Sequence, residues 1–382
     1  MNFTKLTAFL NTLDAWGNVG FDCMIRQGGK EIYRYLHGFA DRENGKPIRE
    51  DTIYKMFSMT KPMTCVAALQ LYEEGKFLMT DPVSKYLPEF ANMMVRTTVD
   101  GVCTLRPAKT EITVQHLFTH TAGFTYDLHS TSLDKLMEET NYCYTTRQFV
   151  AAIAKEPLIY DPGTQWQYSL AHDVLGAFVE VVSGAEFETY LQENIIKPLG
   201  MKDAHFIVPE EKIGRCALRY EHDETGKTWP QEPKLYNAYQ VSPNYRSGGA
   251  GLSCTTEDYM KFADTLCNLG KSRENGTRIL GTETVQLMRR NHLNPAQMVN
   301  FNWIQYVGYG YGLGVRTLVA PEVANAMTGL GEFGWGGAAG TYAIIDPAHD
   351  LTILFSQQSQ PAGEDYIQPR IRNIVLRCLE ED

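Results

Sequence analysis

Met56-Phe57-Ser58-Met59-Thr60-Lys61-Pro62, running on through Met63-Thr64-Cys65-Val66-Ala67-Ala68-Leu69-Gln70-Leu71-Tyr72, is the stretch around which the chain is organised. Its spacing predicts a helix whose first turn carries a serine and a lysine on one face, because residues three apart are neighbours on a helix surface. Pro62 lacks an N–H and is tolerated only near a helix start, so this helix cannot begin much before Ser58. The Ser58 hydroxyl is therefore expected where the helix dipole and unpaired N–H groups favour developing negative charge. From Cys65 to Tyr72 the segment is apolar nearly all the way round, the pattern of a helix inside a protein. Burial desolvates Lys61 and weakens its hold on a proton, which a lysine needs in order to serve as base for a serine nucleophile.

The rest of the composition narrows the class. A chain of 382 residues allows two or three domains of roughly 150 residues, or one large two-part unit. With 43% hydrophobic and 21% charged residues it is an ordinary globular sequence. A net charge of −10 and no lysine or arginine block argue against a nucleic-acid or anionic-membrane partner. Met1–Leu10 has neither a basic region leading into an apolar run nor a small-residue cleavage site, and no later stretch approaches the roughly 20 apolar residues of a membrane helix. A cytoplasmic protein is expected. The eight cysteines are scattered without a Cys-x-x-Cys pair, and the nine histidines form no ligand pattern, so reduced thiols, no metal and no cofactor are expected. His116 and His120, four apart in a short helix without an acidic partner, are assigned a structural role.

Along the chain, Asn2–Trp16 has helical apolar spacing, and Gly20–Arg26 and Glu31–His37 flank a turn at Gln27-Gly28-Gly29-Lys30. Helices are expected from Thr146, over Ala171–Ser183 with Gly184 as its stop, over Glu257–Leu269 behind a Thr255 cap, and over Thr282–Arg290. Lys202–Val241 reads as a long loop-rich segment. Strands are expected at Tyr309–Val319, Ala338–Asp346 and Leu351–Gln357, before a closing helix over Asp365–Leu379. Strands at both ends and helices between them predict a discontinuous α/β domain, 1–55 plus 305–382, and a mostly helical domain, 56–304, with the active site in the cleft.

Three motifs in order carry a resemblance. Ser58-Met59-Thr60-Lys61, Tyr168-Ser169-Leu170 and Trp335-Gly336-Gly337 resemble the Ser-x-x-Lys, Tyr-x-Asn and Lys-Thr-Gly elements of the serine β-lactamase and penicillin-binding superfamily. The likeness is closer to the class C β-lactamase branch, and closest to the family VIII carboxylesterases, which carry Trp-Gly-Gly at the third motif. It implies an α/β fold of the β-lactamase/transpeptidase type, with an antiparallel sheet flanked by helices. It also implies that Tyr168 relays the Ser58 proton and protonates the leaving group, and that the N–H groups of Ser58 and Ala338 form the oxyanion hole.

Two departures bear on substrate. Leu170 replaces the Asn side chain that helps hold substrate amide and lysine in β-lactam-processing relatives. Trp335 replaces a cation that binds substrate carboxylate, a loss on the order of 1.5–3 kcal/mol for recognition of such acids. The expected activity is a serine carboxylesterase of short-acyl or aromatic esters, acting through an acyl-enzyme on Ser58 with Lys61 and Tyr168. Trp335, Gly336, Gly337, Tyr126, Trp166, Leu170 and Phe333 are the expected substrate-binding residues, and Tyr236, Tyr239 and Trp303 are further aromatics of the expected pocket loops. Alternatives are a β-lactamase or D-amino peptidase, an acyltransferase, and a non-catalytic binding protein. The expected partner is a small ester or amide; oligomeric state is not legible.

Overall fold

Alternation of apolar residues builds the main sheet. In Gly20–Gln27, Phe21, Cys23 and Ile25 join one apolar layer and Met24 the opposite one, the period of two that a pleated strand imposes. The computed structural model describes residues 1–99, 101–231 and 242–380. It arranges eight strands from edge to edge as Tyr309–Tyr311, Arg316–Leu318, Phe333–Gly334, Tyr342–Asp346, Leu351–Gln357, Gly20–Gln27, Lys30–Asp41 and Lys46–Pro47. All neighbouring pairs are antiparallel. The first and last parts of the chain meet inside the sheet, where Phe21 lies opposite Gln357 and Gln27 opposite Leu351.

Both sheet faces are covered. Helices Thr4–Leu10 and Glu364–Leu379 lie on one face, where Leu6, Leu10, Ile371 and Val375 pack against Phe21, Ile353 and Phe355. Helix Thr256–Cys267 lies on the other, against Gly20–Gln27, Tyr342–Asp346 and Leu351–Gln357. Its cap is the expected one, with Thr255 Oγ1 accepting the Asp258 N–H at 3.1 Å. This helix falls within 56–304, and its buried side chains join the apolar core that the other helices of that stretch share.

The nucleophile segment differs from expectation at its start. Phe57–Met59 forms a tight 3₁₀ turn, and the α-helix proper runs Thr60–Glu73, so Ser58 stands in the turn that feeds the helix. The three-residue spacing still sets Ser58 beside Lys61, because a 3₁₀ turn also brings i and i+3 together. Every residue from Thr60 to Leu69 is buried. Helix Ala171–Ser183 packs across it and stops at Gly184, whose φ of +75° closes the last turn.

Tyr309–Val319 is two short strands rather than one. Gly312 donates to the Val315 carbonyl at 2.7 Å, making a turn, and Gly314, at positive φ, leaves no room for a side chain: a Cβ there would stand 2.3 Å from Cys65 Sγ. The hairpin Met94–Val99 with Val102–Pro107 and the helix Thr131–Glu139 carry polar patterns that sequence periodicity did not separate from loop. The loop-rich 202–241 stretch contains the turn Glu210–Arg215 and strands Tyr220–His222 and Thr228–Pro230. Tyr236 and Tyr239 lie outside the described residues. Among those described, no helix is long and apolar enough to cross a membrane.

Candidate active site

The turn bearing Ser58 is pinned on several sides. Met56 donates its N–H to the Leu252 carbonyl at 2.9 Å, and its own carbonyl accepts from Thr341 Oγ1 at 3.3 Å. Thr60 Oγ1 donates to the Phe57 carbonyl at 2.6 Å and accepts the Leu252 N–H at 3.0 Å. Phe57 is thereby held at φ +47°, a left-handed conformation that costs a non-glycine residue roughly 1–2 kcal/mol. Ser58 itself stays partly open to solvent.

Lys61 is wholly buried. Its amine lies 3.2 Å from Ser58 Oγ and donates to the Gly249 carbonyl at 2.8 Å. It sits over two aromatic rings, 4.5 Å from the centre of Tyr168 and 5.2 Å from that of Tyr126. Desolvation pulls its pKa down to about 7, against the opposing charge of Asp173. A lysine poised near neutrality can take a proton from serine, which one with an ordinary pKa cannot do at neutral pH.

Tyr168 closes the other side of the amine. Tyr126 stacks on it almost parallel, with ring centres 5.3 Å apart at 11°. Trp335 donates its indole N–H to the Tyr168 oxygen at 3.3 Å. Indole is only a donor, so the phenol accepts there and keeps its own proton for another partner. His120 packs 4.8 Å from the Tyr168 ring and 4.3 Å from His172, with Nδ1 3.2 Å from Ser169 Oγ. Burial pushes both imidazoles well down, His172 to about 3, so they are neutral.

The third motif follows the interior strand Phe333–Gly334. A Cβ at Gly337 would stand 2.3 Å from the Met56 carbonyl, so the glycine lets this segment lie directly on the turn bearing Ser58. Ala338 is exposed between buried neighbours, and its carbonyl accepts from Gln360 Nε2 at 3.3 Å. Beside Tyr126 and Leu170 lies a cavity of about 130 Å³, lined also by Met137, Tyr144, Phe149 and Tyr245.

Ser58, Lys61, Tyr168, Tyr126, Trp335 and Gly337 are thus brought together, and Leu170 borders the cavity. Two expected substrate-binding residues are placed otherwise. Phe333 is fully buried in the main core, and Trp166 is buried behind Tyr168, 5.8 Å from Tyr311 and 4.9 Å from Phe301. An aromatic beside a motif is as readily packing as lining, and sequence alone does not distinguish the two. Gly249, Asp173 and His120 were not among the expected site residues. Asp173 had a visible signal, an acid in the apolar run Leu170-Ala171-His172-Asp173-Val174-Leu175. Among the described residues no group of three or more metal-ligand side chains occurs.

A family model described as Beta-lactamase matches residues 13–376, and the chain belongs to that family. Esterase EstB of Burkholderia gladioli is 29% identical over 358 residues, covering 88% of this chain and 85% of EstB. Acyltransferase calJ of Penicillium decumbens is 31% identical over 351 residues, covering 88% and 82%. The solved structure of EstCE1, described as a hydrolase with promiscuous acyltransferase activity, matches with a TM-score of 0.79 over 97% of each chain at 26% identity. The fold is the β-lactamase/transpeptidase type, near the family VIII esterases, and the chain is an enzyme of the serine-hydrolase type.

Proposed function

We propose that this protein cleaves carboxylic esters through an acyl-enzyme on Ser58. The observation that carries the reading is the buried Lys61 amine, 3.2 Å from the Ser58 hydroxyl with its pKa near 7. Lys61 takes the Ser58 proton as Oγ attacks the ester carbonyl, and the N–H groups of Ser58 and Ala338 receive the resulting oxyanion. Tyr168 passes that proton to the leaving alcohol as the tetrahedral intermediate collapses. Water then attacks the acyl-enzyme by the same steps in reverse, returning the proton to Ser58. Trp335 offers no positive charge, which disfavours substrates that present a carboxylate, β-lactams among them. Eight cysteines carried as thiols rather than disulfides support a reducing compartment, the cytoplasm.

Acyl transfer to a second alcohol is a companion reading, supported by the names of calJ and EstCE1 and by the aromatic side chains Tyr126 and Trp303 against Tyr168. The test is intact-protein mass after mixing with activated esters and β-lactams, in wild type and Ser58→Ala, with product release followed in parallel. A transient adduct of the acyl mass with ester turnover is expected, both lost at least about 10³-fold in Ser58→Ala. Added alcohol that yields new ester establishes transfer. Unmodified wild type with no release, or turnover undiminished in Ser58→Ala, removes the reading.

A further inference from the structure

The carbonyl that seats Lys61 is itself held by a buried carboxylate. Asp173 lies in the first turn of helix Ala171–Ser183, five residues after Tyr168, and is almost wholly buried. Its Oδ1 accepts from the Tyr245 hydroxyl, from the Ser247 hydroxyl at 2.6 Å and from the Gly249 N–H at 3.3 Å. The fit is close: a Cβ on Gly249 would stand 2.5 Å from Asp173 Oδ2. The same Gly249 offers its carbonyl to Lys61 at 2.8 Å, and the Gly248 carbonyl accepts the Thr64 hydroxyl at 2.7 Å. One side chain therefore ties the helix that follows Tyr168 to the segment that grips the nucleophile helix.

We propose that Asp173 is a positioning residue for the acyl-transfer chemistry: it fixes the Gly249 carbonyl that seats Lys61, and its charge sets how readily that amine releases a proton. This rests on Lys61 being the base of the reaction. Among the described residues, the titratable groups facing the amine are Cys65 on its own helix, Tyr126 and Tyr168 beneath it, His120 and His172 behind them, and Asp173. Burial holds Cys65 as a thiol and both imidazoles neutral. Asp173 is thus the opposite charge acting on Lys61, and it pulls back against desolvation. Without it the amine would give up its proton at lower pH. With it, a fraction stays protonated at neutrality, able to return that proton through Tyr168.

The test titrates Lys61 directly, by NMR of ¹³C-lysine-labelled protein with the resonance assigned through Lys61→Arg, alongside the pH profile of ester kcat/KM. Asp173→Asn and Asp173→Ser both remove the charge, and each is expected to lower the Lys61 midpoint by about one pH unit, carrying the acid limb of kcat/KM with it. Ser247→Ala keeps the charge and loosens the segment; its midpoint is expected within about 0.3 unit of wild type while kcat falls. A midpoint unmoved or raised in the folded charge-removing variants overturns the proposal. An equal shift in Ser247→Ala overturns the charge as its cause. Because the midpoint is read without substrate, absence of ester turnover would defeat the ester reading and leave the role of Asp173 to be decided by the titration.

Discussion

As the proposed base, Lys61 depends on its burial. A lysine in water stays protonated until about pH 10.4, whereas here the surrounding apolar helix brings the value to about 7. The sign follows from the required form. The base must be neutral to accept the Ser58 proton, so activity is present above the lowered pKa and is lost as pH falls through it. The acid limb of kcat/KM for a neutral ester is predicted at about 7, with a tenfold fall per unit below it, and a pH–rate profile measures this directly. A flat profile from pH 5.5 to 9, or a limb near 10, would remove Lys61 as base. That Ser58, Lys61 and Tyr168 lie together was legible in the sequence, through a three-residue spacing and motif order. Gly249 was not legible: it reaches Lys61 from 188 residues away, through a backbone carbonyl that any residue type carries.

Elements show where local pattern suffices and where it does not. The first hairpin, the Ala171–Ser183 helix, the Leu351–Gln357 strand and the closing helix stand where periodicity, caps and turn residues set them. The nucleophile turn and the Tyr309–Leu318 hairpin departed from pattern, because each is bent by a contact with a remote part of the chain: Leu252 against Met56 and Thr60, and Cys65 against Gly314. The Trp335-Gly336-Gly337 segment belongs with these, since its approach to Met56 depends on a missing side chain. Gly337→Ala is predicted to push this segment away from the turn bearing Ser58 and lower kcat/KM by about 10²-fold or more, consistent with the loss of an aligned oxyanion donor. Circular dichroism should stay native, with the melting temperature down by a few degrees. Wild-type activity in Gly337→Ala would show that the close approach is dispensable.

At the scale of the whole molecule, the sheet edge, its centre and the last helix are held together by one buried ion pair. Arg316 donates to Glu332 at 3.0 Å and to the Ala343 carbonyl at 3.2 Å, while Glu332 also accepts from the Tyr309 hydroxyl at 2.7 Å and the Thr328 hydroxyl at 3.2 Å. Arg372 of the closing helix reaches the same Tyr309 oxygen. Glu332→Gln leaves the Arg316 charge buried without its counterpart and is predicted to lower unfolding stability by about 3–5 kcal/mol, measured by urea titration. A loss under about 1 kcal/mol would mean that water or a neighbouring group takes over the guanidinium. Charges this far inside are invisible to hydropathy patterning, which treats arginine and glutamate as surface residues.

The pairing of Gly20–Gln27 with Leu351–Gln357 also fixes an order of events during synthesis. A ribosome delivers Phe21 more than three hundred residues before its partner Gln357, so the first hairpin has to wait with one edge unpaired, while the turn bearing Ser58 lacks the Gly337 segment that comes to lie on Met56. Ser58 and Lys61 are thus made early, yet the site they belong to can close only when translation is almost finished.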